Sequence, residues 1–411
     1  KIKALVDNKQ IKSAAIIGAG FIGVELAENL QHREIKTTIV EFRGNILPQF
    51  DPEMIEPMQK VLIENGIELA LSAETETVNE STLTLKDGRV IDADLVVAAI
   101  GVVADHKLAV DAGLEIGEAG GIVVDDQMRT SDPNVFAVGD AAQKVSALTG
   151  QDQMIWLANL ANRHGRLVAD VIAGETVAAR PSIGTGIIGA FGIAAALTGL
   201  TEALAKRMDI AHKVVHLHPG SHAGYYPGAE TVSLKVLFDP ESGKLLGAQG
   251  IGRDGVDKRI DVIATAIYAG LTIDDLMNLE LSYAPAFGSA KDAINQAGYV
   301  GNNIFTGKTG SVQYGDLADK MAAGAMLVDV RSESENAAGH IPGSVLIPVD
   351  TLRKNLDQLE GREVIVHCAV GQRGHTAVQL LKGHGINAKN LDGGYTTWSQ
   401  GMDAKNRATT N

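Results

Sequence analysis

Hydrophobic residues lie along this chain in short continuous runs that alternate with stretches of helical spacing. The first cycle contains an apolar run at residues 13–17, a glycine turn, an amphipathic stretch at 24–31 and a second apolar run at 36–42. Short apolar runs are typical of buried parallel strands, whereas apolar residues three and four positions apart are typical of a helix. This order predicts a βαβ unit in which the glycine turn joins the first strand to the helix.

Alternating strand and helix patterns continue to residue 305. Between 101 and 174 the pattern predicts a strand pair, a turn at 131–134 and a helix at 153–173. From 188 to 305 strands precede helices, which is typical of an α+β domain. The other predicted strands lie at 67–71, 82–86, 90–91, 95–100, 213–217, 231–238 and 244–250, and the other helices at 52–65, 256–269, 273–277 and 290–300.

One apolar segment is long enough for a membrane span. Residues 183–200 contain no charged side chain, but glycines interrupt the segment and no basic flank accompanies it. We therefore predict a buried strand that passes through a glycine turn into a short helix, and no association with a membrane.

Composition narrows the class of protein. A length of 411 residues predicts two to four domains, and 45% hydrophobic residues with 46 glycines are typical of a soluble α/β protein. The net charge of −14 argues against a nucleic-acid-binding surface, which needs clustered Lys and Arg. A single cysteine cannot form an internal disulfide and no signal peptide opens the chain, so the cytoplasm is the expected compartment. Because the chain opens on Lys1 rather than Met and soon enters a strand, we expect a fragment of a longer protein.

A glycine motif lies between the first strand and the first helix. It reads Gly18-Ala19-Gly20-Phe21-Ile22-Gly23. The first glycine permits a tight turn, the second lets a pyrophosphate approach the backbone, and the third lets the helix pack on the strand. Glu41 ends the next strand, at the spacing expected for a carboxylate that accepts hydrogen bonds from ribose hydroxyls and favours NADH over NADPH. Arg43 weakens this preference, since an arginine could bind a 2′-phosphate.

A second turn follows the apolar run that ends in Gly139-Asp140. An aspartate at the end of a strand could accept a hydrogen bond from a sugar alcohol, or it could cap the next helix. The residues alone favour neither alternative.

The single cysteine, Cys368, follows an apolar run and precedes a helix that starts after Arg373. Backbone N–H groups, a helix N-terminus and a nearby guanidinium all favour a thiolate, and the same surroundings could stabilise a persulfide on Cys368. The alternative is a buried structural cysteine. No metal site is predicted, because His222 and His340 have no partner at ligand spacing.

The order of these motifs resembles the flavin-dependent pyridine nucleotide-disulfide oxidoreductases. The segments that carry the resemblance are GAGFIGVE, VEFRGNILPQFD, AAIGV and TSDPNVFAVGDA. The resemblance implies that FAD and NADH are cofactors, and that the first half of the FAD domain and the redox cysteine precede Lys1. With NADH on the glycine motif and Glu41, the resemblance implies that Asp140 holds the ribityl chain of FAD and that Leu157, Ala158 and Ala161 lie near the flavin. Gly101 and Gly139 are further expected cofactor-binding residues.

Three later segments are similar to the dimerisation domain of CoA-disulfide reductases. They lie at 221–229, 252–261 and 281–292. This resemblance implies a homodimer with CoA as substrate or bound ligand, in which Tyr225, Tyr226 and Tyr283 reach the partner subunit's active site. A phenol there could give a proton to a leaving thiolate. The alternative for one of Tyr225 and Tyr226 is simple packing in the dimer interface.

The C-terminal segment resembles the rhodanese domain. The motifs LVDVR, GHIPG, CAVGQRG and NLDGGYTTW lie in the order of that domain. The resemblance implies that Cys368 is the sulfur-accepting nucleophile and that the loop through Arg373 is its anion pocket, while Asp329 and Arg331 hold the domain together. Tyrosine phosphatases have a similar loop that is one residue longer.

Together these patterns predict an α/β chain with a Rossmann-like NAD domain, the second half of an FAD domain, an α+β dimerisation domain and a rhodanese domain. We expect a flavin-dependent NADH:CoA-disulfide or persulfide reductase, whose partners are CoA disulfide, CoA or glutathione persulfide, polysulfide or thiosulfate. The alternatives are a fragment with sulfurtransferase activity alone, or an enzyme similar to NADH oxidases and peroxidases. The expected segments are 1–10 as a remnant of the FAD domain, 11–103, 104–180, 181–305, a linker at 306–311 and 312–403.

Overall fold

The fold is that of a computed structural model, which describes residues 2–8 and 10–410. Lys1 and Lys9, which belong to the expected remnant at 1–10, lie outside the described residues, as does Asn411. The described residues form two compact units, one within 2–100 and 187–410, with residue 9 left out, and the other within 101–186. Among the described residues, no helix combines the length and the apolar composition that a bilayer crossing requires.

The first part of the larger unit is the predicted βαβ fold. A parallel sheet has the strand order β3-β2-β1-β7, and a small antiparallel sheet has the order β4-β5-β6. The helices are α1 (Ile2–Asp7), α2 (Phe21–Gln31) and α3 (Pro52–Glu64). The strands are β1 (Ser13–Ile17), β2 (Lys36–Val40), β3 (Glu68–Ala70), β4 (Thr75–Val78), β5 (Thr82–Leu85), β6 (Val90–Asp92) and β7 (Leu95–Ala98).

The smaller unit contains little regular structure. The predicted helix at 153–173 starts later than its apolar pattern, because residues 152–153 pair with 144–145 as a short antiparallel ladder. A helix at 107–111 was not predicted. The elements are α4 (Lys107–Asp111), β8 (Lys144–Val145), β9 (Asp152–Gln153) and α5 (Ala158–Ile172).

An antiparallel sheet with helices follows, in the predicted α+β order. Its strand order is β10-β11-β14-β13-β12. Asp292 caps the last helix, since its carboxylate accepts the Ile294 N–H at 3.1 Å. The strands are β10 (Thr185–Ala190), β11 (Ile193–Gly199), β12 (Lys213–Leu217), β13 (Val232–Phe238) and β14 (Leu245–Gly252), and the helices are α6 (Glu202–Arg207), α7 (Val256–Tyr268) and α8 (Ala293–Phe305).

The prediction for residues 183–200 was wrong in its second half. The segment forms two strands, β10 and β11, rather than a strand and a helix. Phe191 and Gly192 join them with φ of 47° and 76°. Two left-handed residues are typical of a tight two-residue hairpin turn. The predicted helix at 273–277 is a single 3₁₀ turn, Asp275–Asn278.

The last part is a parallel sheet with helices, in the strand order β15-β19-β18-β16-β17. Its final helix continues to Thr410, past the expected end at residue 403. In the expected linker, Thr309 is buried and bonds His375 at 2.9 Å. The strands are β15 (Gly310–Val312), β16 (Met326–Asp329), β17 (Val345–Leu346), β18 (Val364–His367) and β19 (Ala388–Leu391), and the helices are α9 (Leu317–Ala322), α10 (Glu333–Ala338), α11 (Gln372–Gly383) and α12 (Gly394–Thr410).

Candidate active sites

The glycine motif forms the turn between β1 and α2. Gly18 has a φ of 103°, and a side chain on it would lie 2.3 Å from the Ala99 carbonyl oxygen. A side chain on Gly23 would lie 2.1 Å from the Gly18 carbonyl oxygen, so this glycine lets the helix pack on the turn. Gly20 has a different environment, because a Cβ there would meet no atom within 4 Å. The open space at Gly20, at the N-terminus of α2, fits the pyrophosphate of a dinucleotide.

Glu41 is fixed beside this turn. Its side chain is buried, and its carboxylate accepts the Ala19 N–H at 2.8 Å and the Arg43 N–H at 2.9 Å, through different oxygens. A carboxylate oxygen has two lone pairs, so each oxygen can still accept a ribose hydroxyl. Phe21 is half-buried, whereas Ile22 is 60% exposed at the start of α2.

The smaller unit brings together several residues of the predicted FAD set. Gly139 (φ 69°) and Asp140 form a 3₁₀ turn with an exposed Asp140 side chain, and a Cβ on Gly139 would lie 3.5 Å from the Ala161 Cβ. No side chain caps α5, which starts at Ala158 after Leu157. The exposed carboxylate can accept hydrogen bonds from hydroxyl groups of a ligand. The free N–H groups at the uncapped start of α5 can donate to an acceptor or anionic group of the same ligand. Gly101, the first residue of this unit, has a φ of 104° and open space around its Cα.

A buried lysine that sequence analysis missed supports the Asp140 turn. The Lys144 ammonium donates to the Gly139 carbonyl and to the Ala142 carbonyl, the latter at 2.7 Å. Burial lowers the pKa of Lys144, and the charge of Asp140 opposes this shift. The lysine therefore fixes the backbone of the turn that presents Asp140.

The three tyrosines are exposed and have different partners. A hydrogen bond with Tyr225 raises the pKa of Tyr283, so these two phenols adjoin each other. Tyr226 instead packs its ring against His222, with ring centroids 5.8 Å apart. Tyr225 and Tyr283 therefore form a pair, and Tyr226 packs separately from it.

Arg259 connects the three segments that resemble a dimerisation domain. It is almost completely buried, and its guanidinium donates to the Ser221 carbonyl at 2.6 Å, the Asp292 carboxylate at 2.8 Å and the Gly255 carbonyl at 3.1 Å. These contacts hold the tyrosine-bearing segments in place. The sequence motifs contained this arginine but gave no indication of its role.

Cys368 follows β18 and is buried, with 1% of its surface exposed. The Gly371 N–H donates to its sulfur at 3.1 Å, and Gly371 takes a φ of 94° as the N-cap of α11. The start of α12 holds the loop from the other side, since the Tyr395 and Thr396 N–H groups donate to the carbonyls of Cys368 and Ala369 at 2.8 and 2.9 Å. The sulfur therefore accepts one backbone N–H, from the N-cap of α11.

Arg373 has a strong partner of its own. Its guanidinium binds Glu335 in a bidentate pair at 2.7 and 2.6 Å. This pair lowers the pKa of Glu335 to about 2, and it raises the pKa of Arg373, as does the charge of Cys368. The cation near the sulfur is thus oriented, and partly neutralised, by Glu335.

Asp329 and Arg331 have the structural arrangement that the sequence predicts for them. Arg331 donates to Asp329 at 2.7 Å and to the Gly339 carbonyl at 2.7 Å, and it lies over the Tyr395 ring. His367, next to the cysteine, is completely buried, and burial lowers its pKa to about 4. It is therefore neutral near pH 7.

A buried ionic network lies behind the sulfur loop, and sequence analysis missed it. His216 binds Asp392 at 2.7 Å through Nδ1 and Glu53 at 3.2 Å through Nε2. Burial acts against the cation, but hydrogen bonds with Asp392 and Glu53 raise the pKa of His216 to about 9. Asp392 directly precedes the Gly393-Gly394 turn that leads into α12, so the network fixes the segment that holds the Cys368 loop.

Lys235 continues this network. Its ammonium lies 2.8 Å from Asp51, 2.5 Å from Glu53 and 2.6 Å from Glu202. Among the described residues, these carboxylates have oxygens close enough to hold a metal ion. The Lys235 ammonium occupies that position and supplies the positive charge.

A cavity of about 570 Å³ borders the sulfur loop. The loop, α8 and the segment after β12 all contribute to its lining. Among the lining residues are Val370, Gly371, Gln372, His375, Tyr299, Asn303 and Lys291.

Family comparison assigns three segments of the chain. Residues 2–165 match the pyridine nucleotide-disulphide oxidoreductases, and residues 189–294 match the dimerisation domain of those enzymes. Residues 314–401 match the rhodanese-like domain.

Individual proteins are similar to this chain over different shares of its length. The coenzyme A disulfide reductase of Staphylococcus aureus (strain bovine RF122 / ET3-1) is 31% identical over 299 residues, which are 72% of this chain and 68% of that protein. The crystal structure of reduced Bacillus anthracis CoADR-RHD is 42% identical, with a TM-score of 0.96 over 98% of this chain and 73% of that chain. The structure of an NAD-dependent persulfide reductase from A. fulgidus is 34% identical, with a TM-score of 0.89 over 97% of this chain and 73% of that one.

Proposed function

This chain belongs to the family of pyridine nucleotide-disulphide oxidoreductases, and we propose that it couples the reduction of CoA disulfide and persulfides to sulfur transfer at Cys368. It is an FAD- and NADH-dependent disulfide reductase with a rhodanese domain. The observation that carries the proposal is the presence, in one chain, of an open dinucleotide turn at Gly20 and a buried cysteine whose sulfur accepts an N–H.

In the reductase part, this chain supplies the groups that bind and orient the dinucleotides. We assign the pyrophosphate of NADH to the turn at Gly20 and its adenosine ribose to Glu41. Asp140 would hold the sugar alcohol of FAD, and Lys144 keeps the turn of Asp140 in place. FAD, when bound, would carry the two electrons of NADH to the sulfur substrate.

The tyrosine pair is proposed to supply a proton. Reduction of a persulfide consumes NADH and a proton, and it yields NAD⁺, a thiol and hydrogen sulfide. A tyrosine phenol is protonated at neutral pH, so Tyr283, which adjoins Tyr225, can donate a proton to a leaving thiolate. We expect this pair to act across the interface of a homodimer.

At the sulfur site, Cys368 is the proposed nucleophile. Its thiolate attacks the sulfane sulfur of thiosulfate or of a persulfide, the S–S bond breaks, and sulfite or a thiolate leaves. The Gly371 N–H and the N-terminus of α11 stabilise the charge on the cysteine persulfide. A second thiolate, such as that of CoA, then attacks the outer sulfur and releases Cys368.

Two assays on the purified full-length protein test this proposal. NADH oxidation should proceed with CoA disulfide or CoA persulfide and be slower with glutathione disulfide as the matched control. Cys368→Ala should abolish thiosulfate sulfurtransferase activity and leave the reduction of CoA disulfide unchanged. Equal rates with both disulfides would argue against CoA as the substrate.

A second candidate function is sulfur transfer alone, on a scaffold without redox activity. It is favoured by the observation that Cys368 is the only cysteine in the 411 residues. The visible spectrum before and after anaerobic NADH separates the two candidates. A flavin spectrum that NADH bleaches supports the reductase, whereas sulfurtransferase activity without bound flavin supports the second candidate.

A further inference from the structure

The last helix of the rhodanese domain packs against α3 of the dinucleotide domain. Arg407 on α12 donates to Glu56 on α3 at 2.6 Å, with a further contact at 3.2 Å. Glu56 is completely buried, so Arg407 supplies its compensating positive charge. The hydrogen bonds with Glu56 raise the pKa of Arg407.

From Glu56, a series of hydrogen bonds leads to the dinucleotide turn. The buried Gln59 side chain donates to Glu56 at 2.6 Å and accepts the Ile46 N–H at 3.0 Å. The next residue, Leu47, takes a φ of 46° and donates its N–H to the Ala19 carbonyl at 2.8 Å. Ala19 lies between Gly18 and Gly20, at the proposed pyrophosphate site. The hydrogen bonds from Glu56 through Gln59 and residues 46–47 therefore hold the backbone of that site.

A second contact reaches the loop that follows Glu41. The Ser72 hydroxyl donates to the Ala408 carbonyl at 2.8 Å, and the Ser72 N–H donates to the Arg43 carbonyl at 2.9 Å. Gly44 packs so closely that an added Cβ would lie 2.8 Å from the Ala408 Cβ. The last turn of α12 therefore lies against the backbone that carries Arg43.

We propose that helix α12 of the rhodanese domain is a positioning element for the NADH site, with Arg407 as its central positioning residue. This inference rests on the proposed placement of NADH at Gly20 and Glu41. If Arg407 no longer neutralised Glu56, Gln59 would lose its fixed orientation and the backbone at 46–47 would no longer be held against Ala19. The loop with Arg43 would also become less constrained, and the preference for NADH over NADPH would fall.

The test compares variants in their affinity for NADH and for NADPH, measured by titration calorimetry. Arg407→Met combined with Glu56→Gln replaces the buried ion pair by neutral side chains of similar size. Ser72→Ala removes the second contact and leaves Glu56 paired. Lys60→Met is the matched control, because Lys60 pairs with Asp403 between the same two helices at 2.6 Å and is not part of the series.

The Arg407/Glu56 variant should raise the Kd for NADH roughly 2- to 30-fold, as expected for residues that act through a packed network. It should also reduce the ratio of the NADPH Kd to the NADH Kd, a change that a loss of stability alone would not produce. Ser72→Ala should shift both quantities in the same direction, and Lys60→Met should shift neither.

Unchanged Kd values and an unchanged ratio in Ser72→Ala and in a folded Arg407/Glu56 variant would overturn the inference. If the Arg407/Glu56 variant does not fold, Arg407→Gln replaces it, because the amide can still donate a hydrogen bond but no longer neutralises Glu56. The expected direction and the overturning result are the same. A wild-type chain that binds no NADH would overturn the proposed NADH site itself, so the two failures are distinguishable. Thiosulfate sulfurtransferase activity checks that the rhodanese domain of each variant is folded.

Discussion

His216 connects two buried carboxylates, Glu53 and Asp392, that lie far from it in the chain. Both ring nitrogens face carboxylate acceptors, so the two hydrogen bonds need the protonated imidazole. These hydrogen bonds raise the pKa of His216 to about 9 against the effect of burial. A group whose pKa is higher in the folded state than its ordinary value of 6.5 stabilises the fold fully below pH 6.5. This contribution is lost as the pH rises through 9.

The first prediction concerns this pH dependence. His216→Gln should lower the free energy of unfolding by about 3–5 kcal/mol near neutral pH, because it removes the cation that pairs with buried Asp392 and one of the two cations that contact Glu53. The decline in stability of the wild type between pH 6.5 and pH 9 should be weaker in the variant. Denaturant unfolding at a series of pH values measures both effects. The exposed His384→Gln serves as control, and an identical pH profile in His216→Gln would contradict the assignment.

Among individual residues, the sequence predicts those in local motifs but not those of the buried ionic network. The glycine turn, Glu41 and Cys368 stand at fixed spacings from strands and helices, and the spacing itself carries the chemistry. His216 is separated from Glu53 by 163 residues and from Asp392 by 176. A local sequence pattern cannot predict these ion pairs, because the contacts form only after the sheets and helices have packed.

Among the elements, the Cys368 loop depends on the start of α12. Gly394 has a φ of 64°, and a Cβ on it would lie 2.5 Å from the Cys368 carbonyl oxygen. A side chain at this position is therefore both strained and sterically excluded. The turn before α12 must contain glycine for the loop to keep its hydrogen bonds.

The second prediction follows from this close approach. Gly394→Ala should destabilise the protein by about 1–3 kcal/mol and should lower thiosulfate sulfurtransferase activity, because the backbone that holds the Cys368 loop must move. Gly383→Ala is the matched control, since Gly383 lies at the end of α11 with no atom near its added Cβ. Full activity in Gly394→Ala would show that the loop does not depend on this turn.

The elements also show where hydrophobic pattern is ambiguous. The segment at 183–200 is rich in glycine and alanine, which fit a helix and a buried strand equally well by polarity. The pairing of β11 with β14 and the positive φ of Phe191 stabilise the hairpin instead of a helix. Phenylalanine is not a typical turn residue, so the sequence does not indicate this turn. By contrast, β1, β2 and β18 each contain adjacent Ile or Val residues, and their predicted positions are close to the observed ones.

In the whole molecule, the dinucleotide turn and the sulfur loop are separate sites in one compact unit. Gly20 lies in the turn after β1 and Cys368 in the loop after β18, and these two strands belong to different sheets with separate hydrophobic cores. Sequence motifs predicted each domain, but nothing in the sequence indicated the contacts between α12 and α3. Arg407 and Glu56 have the sequence pattern of ordinary charged residues on exposed helix faces. Because the sites are separate, we expect NADH binding and sulfur transfer to be separable by mutation, except for changes in α12, which contacts both regions.

The third prediction therefore uses reciprocal variants. Gly20→Val adds a side chain where the structure has open space, with an extended backbone that valine adopts, so the fold should persist while NADH binding weakens by about tenfold or more. Sulfur transfer from thiosulfate should be unchanged. Cys368→Ala should do the opposite, with full affinity for NADH and no sulfur transfer. A loss of both properties in either variant would mean that the two sites form one catalytic centre rather than two linked ones.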